Sequence, residues 1–297
     1  MKIGIIDYRR EPPRSVNDLF EAARKRRVEA VYLRLPLIDA LIDDGKVFIK
    51  QRGEPVNIDG AVLRGIGLVM SLDVFEKRLG VLEALASKIP VINNPLNALV
   101  AKDKWRSLVR LALHGLPVPD TMITENPFSA MNYARSKRKI VYKPLMGSLG
   151  LGSALIEDPD LAFQTARSLM NIGVPSYLQK YLEKPGYDYR VFVVGGKVIG
   201  AMRRVSRNSW KTNIAQGAQG VPVKEEEEAP EILATAVKAS MVLGLDYAGV
   251  DIAEDVSTGR YYILEVNAFP YWEGLRASTG VNPPDHIIEY LVEKVKK

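Results

Sequence analysis

Apolar positions in the first hundred residues alternate between short continuous runs and longer stretches where they return every three or four residues. The runs at 2–6, 30–33, 46–50, 60–63 and 90–92 read as strands. The stretches at 16–27, 37–43 and 74–87 read as helices, the second a short one. Such alternation builds a parallel α/β layer. Asn93-Asn94-Pro95 is turn punctuation. One helix is predicted over 96–113, closed by Gly115 and the Pro117/Pro119 pair. The pattern then shortens. Strands are predicted at 140–143, 153–156 and 176–181, with a helix at 162–169. The last third opens on strands 189–194 and 197–203, joined by the hairpin signal Gly195-Gly196. A polar loop to Gln219 and the acidic run 225–228, read as a solvated turn, precede a helix at 231–243. Strands 247–253 and 260–267 and a helix at 287–295 complete the chain. The fold class expected is α/β and α+β, with domains at 1–96, 97–183 and 184–297.

Composition narrows the chemistry. The 297 residues are 47% hydrophobic and 26% charged, as in a soluble globular protein. There is no cysteine, which excludes disulfides, thiolate metal sites and thiol nucleophiles. With only His114 and His286, any metal must sit on oxygen ligands, which favours Mg²⁺ or Mn²⁺. The net charge of +6 permits an anionic ligand without requiring nucleic acid. Basic residues are scattered apart from Arg24-Lys25-Arg26-Arg27, read as the end of the first helix. No apolar stretch reaches the ~18 residues of a membrane span. The best, 232–250, is interrupted by Lys238 and Asp246. A cytoplasmic protein is expected, with neither nucleic acid nor membrane as partner.

Three features carry chemistry. Glu265 and Asn267 point the same way from one strand, because strand side chains alternate. Asp251 lies on the preceding strand, and an antiparallel pairing would bring the three oxygens onto one face. Two carboxylates in a half-buried sheet need a cation, and hard oxygens suit Mg²⁺. Second, Lys143 ends a strand ahead of Gly147-Ser148-Leu149-Gly150-Leu151-Gly152, whose backbone could approach an anion closely. The loop runs into a strand rather than a helix, so it is neither a Rossmann fingerprint nor a Walker loop. Third, Arg190 shares a strand face with Asp188, Arg203-Arg204 end the next strand, and Lys211-Thr212-Asn213 follow. Arginines on strand ends can clamp phosphate and carboxylate oxygens. Adjacent residues face opposite ways, so only one of Arg203 and Arg204 need face the site.

The order of these motifs resembles the ATP-grasp superfamily, and within it the RimK-like carboxylate–amine ligases. The resemblance covers essentially the whole chain and is most specific over 101–280. It rests on Lys102-Asp103-Lys104-Trp105, Tyr142-Lys143-Pro144 with the glycine loop, and Leu178-Gln179-Lys180-Tyr181-Leu182. Asp188-Tyr189-Arg190, Arg203-Arg204, Lys211-Thr212-Asn213, Ala248-Gly249-Val250-Asp251 and Leu264-Glu265-Val266-Asn267 complete it.

The resemblance implies an ATP-grasp fold: a Rossmann-like N-terminal domain and two α+β subdomains clasping ATP. It also implies roles. Lys104, Lys143 and the loop residues Gly147, Ser148, Gly150 and Gly152 would face the phosphates. Gln179, Lys180, Tyr181 and Leu182 would form the adenine hinge, largely through backbone groups. Asp188 would take the ribose side, and Lys211, Thr212 and Asn213 the triphosphate. Asp251, Glu265 and Asn267 would hold two Mg²⁺ or Mn²⁺ ions. Arg203 or Arg190 would hold the acceptor carboxylate while ATP converts it to an acyl phosphate, and an amine, glutamate, would then attack.

The acceptor expected is a small cofactor, a pterin among them, or an acidic peptide tail, with Arg9, Arg10, Arg14 and Arg64 on its side. An amino-group carrier ranks lower, because Asn267-Ala268-Phe269-Pro270 departs from those enzymes. Lys180, Lys211 and Tyr271-Trp272 are further departures from the common pattern. A dimer or tetramer is the family habit. The alternatives are a nucleotide-binding regulatory module without ligase activity and a phosphotransferase.

Overall fold

The computed structural model describes residues 1–67, 71–145, 147, 151–206, 209–223 and 230–297. Ser148, Leu149, Gly150 and the acidic run 225–228, all singled out above, lie outside the described residues.

The N-terminal part runs β1 (Lys2–Asp7), α1 (Arg14–Lys25), β2 (Glu29–Arg34), β3 (Ile38–Asp43), β4 (Lys46–Gln51), β5 (Glu54–Pro55), β6 (Gly60–Leu63), α2 (Leu72–Ala86) and β7 (Val91–Ile92). Four of these strands form a parallel sheet in the order β2-β1-β6-β7. The segment 37–43, expected as a short helix, is instead mostly strand β3, hairpinned to β4. Its apolar pairs imitate a helical stripe. Asp44 and Gly45, both at positive φ (46° and 69°), make the two-residue turn that selects the hairpin.

The helix expected over 96–113 is two helices, α3 (Pro95–Lys102) and α4 (Lys104–Leu113). Asp103 sits between them in an extended conformation, and its carboxylate accepts the Arg106 N–H at 3.0 Å. That N-cap breaks the helix and starts a new one at Lys104.

The second sheet comes from β8 (Thr121–Thr124), β9 (Ile140–Lys143), β10 (Ala154–Ile156) and β11 (Ser176–Lys180), in the antiparallel order β10-β9-β11-β8. Helices α5 (Pro127–Lys137) and α6 (Pro159–Met170) pack against it. The shared core holds Ala130, Ala134, Ala162 and Ala166 against Ile140, Ile156 and Leu178. Small helix residues let the helices lie close to the sheet.

The third sheet is antiparallel, ordered β14-β13-β12-β15-β16. Its strands are β12 (Tyr187–Val194), β13 (Lys197–Val205), β14 (Gln219–Pro222), β15 (Tyr247–Asp255) and β16 (Arg260–Asn267). One face buries Val191, Val193, Ala201 and Val250 in a core with Ile232 and Ala236 of α7 (Pro230–Val242). The other face is covered at one end by α8 (Glu273–Thr279) and α9 (Pro283–Lys296), which set Leu275, Ile287 and Ile288 on Phe192 and Met202. Each such fully buried Leu or Ile contributes about 1.5–3 kcal/mol.

Two polar pins fix this sheet to the N-terminal part. Fully buried Asn93 donates to the carbonyls of Tyr247 (2.9 Å) and Ala268 (2.8 Å) and accepts the Tyr247 N–H. Trp272 donates its indole N–H to Asp18 of α1 at 2.7 Å. What remains uncovered on the second face of the third sheet is polar. Among the described residues, no helix is long and apolar enough to cross a membrane.

Candidate active site

Strand register builds the site. Asp188 pairs with Arg204, Arg190 with Asp251, Asp251 with Glu265 and Gly249 with Asn267. Directly paired residues of antiparallel strands share a face. Asp188, Arg190, Arg204, Asp251, Glu265 and Asn267 therefore lie on the one face that the helices leave open. The expected antiparallel pairing of β15 and β16 is present.

The charges on this face are largely paired. Arg204 grips Asp188 with two parallel bonds, Nε to Oδ1 at 2.7 Å and Nη2 to Oδ2 at 2.8 Å. The same Nη2 lies 3.1 Å from Asp251 Oδ2. Arg190 donates Nη2 to Asp251 Oδ2 at 3.0 Å, and its Nε forms an ion pair with Oδ1. Gly249 makes room for this arginine: a Cβ there would stand 2.5 Å from Arg190 Nη1. Two arginines thus stand against Asp251. Burial pushes the Asp251 carboxyl upward, against the pull of both. Burial also opposes the charge on Arg204, but Asp188 and Asp251 outweigh it and raise its pKa.

Three expectations change here. Arg203 pairs with Tyr189, faces away from the acidic cluster, and sets its guanidinium 5.5 Å from the Tyr187 ring. Alternation gives the inward position to Arg204, so Arg203 is not in the site. Asp188 does not stand free for a ribose: both of its oxygens accept bonds from Arg204 and the Thr212 hydroxyl, which tie it into the ion-pair network of the cleft. Arg190 is committed to Asp251, not poised for an acceptor.

A cleft opens between the second and third sheets. Lys104, Lys143, Gly147, Lys211, Thr212 and Asn213 line it together with Asp188, Arg204, Asp251 and Glu265. Lys104 donates to the Gly147 carbonyl at 2.8 Å and stands 3.9 Å from Glu265 Oε1. Lys143 donates to Gln179 Oε1 at 2.6 Å, and the buried Gln179 amide is steadied by Thr121 Oγ1 at 3.1 Å. The atoms packed round the Lys143 ammonium lower its pKa to about 8.

At the expected hinge, the Lys180 N–H bonds to the Asp120 carbonyl (2.8 Å) and the Tyr181 N–H to the Lys139 carbonyl (3.0 Å). Those two backbone donors are therefore spent on the fold, and Lys180 reaches Asp255 at 3.5 Å. Leu182 is buried beside them.

Sequence reasoning missed two cleft residues. Lys184 donates to Thr212 Oγ1 at 2.8 Å, and burial lowers its pKa. Trp210 meets Tyr181 edge-to-face, with ring centroids 6.3 Å apart. Lys184 follows no motif. Trp210 adjoins Lys211-Thr212-Asn213, which was the available signal.

A second cavity, about 580 Å³, lies between the N-terminal part and the third sheet. Tyr8, Arg9, Arg64, Lys102, Phe269 and Tyr271 line it, with Gly152, Asn267 and Glu265. Glu265 and Gly147 line both spaces, so the cleft and the cavity meet there. Of the N-terminal arginines, Arg9 and Arg64 reach the cavity. Arg10 is exposed beside Glu11, and Arg14 is exposed at the start of α1.

The donor set fits a hard divalent cation. Glu265 is partly exposed, with Lys104 only at 3.9 Å. Asn267 turns its amide N–H₂ to the Gly249 carbonyl (3.4 Å), which leaves its oxygen as the group it can offer. Asp251 Oδ1 has no hydrogen bond, although Arg190 is ion-paired to it. Among the described residues no cluster of three His, Cys, Asp or Glu forms. The set is two carboxylates and an amide, all oxygen, which suits Mg²⁺.

Comparison with known proteins matches this geometry. Residues 101–291 match the RimK-like ATP-grasp domain. The chain is 33% identical to tetrahydromethanopterin:alpha-L-glutamate ligase of Methanocaldococcus jannaschii, over all of both proteins. It is 31% identical to alpha-aminoadipate–LysW ligase LysX of Saccharolobus solfataricus, over 70% of this chain and 76% of that protein. The structure of the ATP-grasp ligase PsnB complexed with minimal precursor superposes with a TM-score of 0.77, covering 99% of each chain at 22% identity. The paired cleft and cavity, the sheet that carries the acidic face and these likenesses lead to one conclusion: the chain belongs to the RimK-like ATP-grasp ligase family.

Proposed function

We propose that the protein joins an amino acid, glutamate, to a carboxylate-bearing acceptor in an ATP-dependent reaction that releases ADP and phosphate. The observation that carries this reading is the position of Glu265, at the junction of the cationic cleft and the aromatic-walled cavity. Phosphoryl donor and acceptor can meet only at such a junction.

The cleft takes the nucleotide. Lys104, Lys143 and Lys211 hold phosphate oxygens, Thr212 and Asn213 border them, and Trp210, Tyr181 and Leu182 flank the base. Glu265 and Asn267 would hold Mg²⁺, joined by Asp251 where Arg190 and Arg204 leave it an oxygen. When bound, the ion neutralises charge on the phosphate oxygens. The acceptor carboxylate attacks the terminal phosphorus, and ADP departs. The amine then attacks the acyl carbon and phosphate departs, with the amine's proton lost to solvent or base. The chain supplies alignment and exclusion of water rather than a covalent nucleophile.

By their names, the relatives above act on tetrahydromethanopterin and on LysW. A cavity of 580 Å³ walled by Tyr8, Phe269 and Tyr271 has the size and lining of a small-molecule site, which favours the cofactor-type acceptor. The test is phosphate release from Mg-ATP with glutamate and a panel of carboxylate acceptors, each followed by mass spectrometry. The expected result is turnover that needs both partners, with a mass gain of one glutamyl residue. Turnover without the amine, leaving a stable phosphorylated acceptor, overturns the reading.

Lys143 makes nucleotide affinity depend on pH. Only its ammonium form holds phosphate, and in the free protein that form is lost as pH rises through about 8. A triphosphate beside it raises the pKa again. ATP binding at pH 9 should therefore take up close to one proton and be weaker than at pH 7. Calorimetry in two buffers of different ionisation enthalpy reads the uptake directly. Equal affinity at both pH values, with no uptake, removes Lys143 from the phosphate site.

A further inference from the structure

The cavity holds a cation, Arg64, that no carboxylate of the described residues pairs with. Arg64 follows β6, beside β1 in the order β2-β1-β6-β7. The chain leaves β1 for β2 on one side and returns to β6 on the other, so strand order reverses between β1 and β6. Ligands of parallel sheets bind in the crevice at the carboxyl ends of strands at such a point. Tyr8, Arg9 and Arg64 all lie there and line the cavity.

Arg64 is 5% exposed. Its guanidinium lies 4.3 Å from the centre of the Trp272 ring. Nη2 donates to the Pro270 carbonyl at 3.0 Å and Nη1 to the Tyr247 hydroxyl at 3.4 Å. Nε is buried without a hydrogen-bond partner. Arg9 is neutralised by Asp7 at 3.1 Å, Arg204 by Asp188 at 2.7 Å, and Arg276 by Asp18 at 2.8 Å. Arg64 alone of these four meets only neutral groups within the described residues. A guanidinium cannot shed its proton, and a buried unpaired charge is costly. Trp272 is fully buried and pinned through its indole N–H to Asp18, which fixes the plane on which the guanidinium rests.

We infer that Arg64 binds a substrate carboxylate that does not react, while the reacting end of the same assembly lies at Glu265 and Asn267. This rests on the ligase reading. The chemistry is a planar carboxylate, which belongs either to the incoming amino acid or to the acceptor. Bound and released with no part in bond making, it contributes to KM rather than to kcat.

The experiment compares wild type with Arg64→Gln and Arg64→Lys. KM is measured separately for amino acid, acceptor and Mg-ATP, alongside calorimetric titration with glutarate as a carboxylate probe. Arg64→Gln should raise one KM roughly 10- to 100-fold, the scale of a lost charge-assisted bond, and abolish glutarate binding. KM for Mg-ATP should stay within twofold. A rise confined to the amino acid assigns the carboxylate to it, and a rise confined to the acceptor assigns it there. Arg64→Lys keeps charge but not the fork, and should recover part of the loss; it also serves if Arg64→Gln fails to fold. Unchanged KM for both substrates, or glutarate binding equal in wild type and variants, overturns the inference. If wild type turns over no pair, the ligase reading fails by itself, and the glutarate titration still decides the role of Arg64.

Discussion

Glu265→Gln is expected to lower kcat by roughly 10³-fold, the loss that follows when a metal-assisted phosphoryl transfer is deprived of its ion. The substitution keeps the shape of the side chain and removes only its charge. Glu265 is the one charged residue of the acidic face that lines both the cleft and the cavity. Its ion pair with Lys104 is long, 3.9 Å, and its side chain is 32% exposed. Loss of such a screened pair costs at most about 1 kcal/mol, so the melting temperature should barely move. Nucleotide should still bind through Lys104 and Lys143, but with a weaker response to added Mg²⁺. The check is kcat beside a magnesium titration of ADP affinity. A kcat within tenfold of wild type, with an unaltered magnesium response, would place the reacting phosphate elsewhere.

The sequence made the larger frame legible because its signals are local. Alternation on β15 and β16 showed that Glu265 and Asn267 share a face, and the Gly195-Gly196 turn marked the β12–β13 hairpin. What stayed hidden depends on partners distant in sequence. Periodicity alone leaves Arg203 and Arg204 equivalent; the choice is made by Asp188, sixteen residues earlier and opposite Arg204 in register. The same contact ties Asp188 into the ion-pair network of the cleft. Lys184 enters the cleft only because Thr212 comes to meet it. At 37–43 a helix-like stripe was outweighed by a turn at Asp44-Gly45. At Asp103 an N-cap divided what hydrophobic spacing joined. Arg64 could be suspected from its place at a strand end, but its lack of a counter-charge is a property of the folded cavity alone.

Arg204→Met is expected to be the most destabilising single change on the polar face. Asp188 and Asp251 are 2% and 4% exposed, and both rest on this guanidinium. Removing it leaves two buried carboxylates near one another. Arg190 remains for Asp251, and Thr212 for Asp188. Breaking a buried ion pair from one side costs about 3–5 kcal/mol. For a protein of this size that is a fall in melting temperature of roughly 10 °C. The neighbouring Arg203→Met should cost much less, since Arg203 is only partly buried and pairs with Tyr189 on the opposite face of the sheet from the acidic cluster.

The sign of the pH dependence separates this account from simple loss of packing. Without Arg204, burial holds the Asp251 carboxyl further above its unfolded range, in the direction already present. A carboxyl so raised stabilises the fold while protonated and loses that contribution as pH rises through its unfolded and then its folded pKa. The gap between Arg204→Met and wild type should therefore narrow when melting is followed from pH 7 down to about pH 5. Adding Asp188→Asn to Arg204→Met removes one of the stranded charges and should restore part of the loss at pH 7, a non-additivity expected only of residues in direct contact. A gap constant with pH, and strictly additive losses in the double variant, would mean that Arg204 acts by bulk alone and that the acidic face does not depend on its charge.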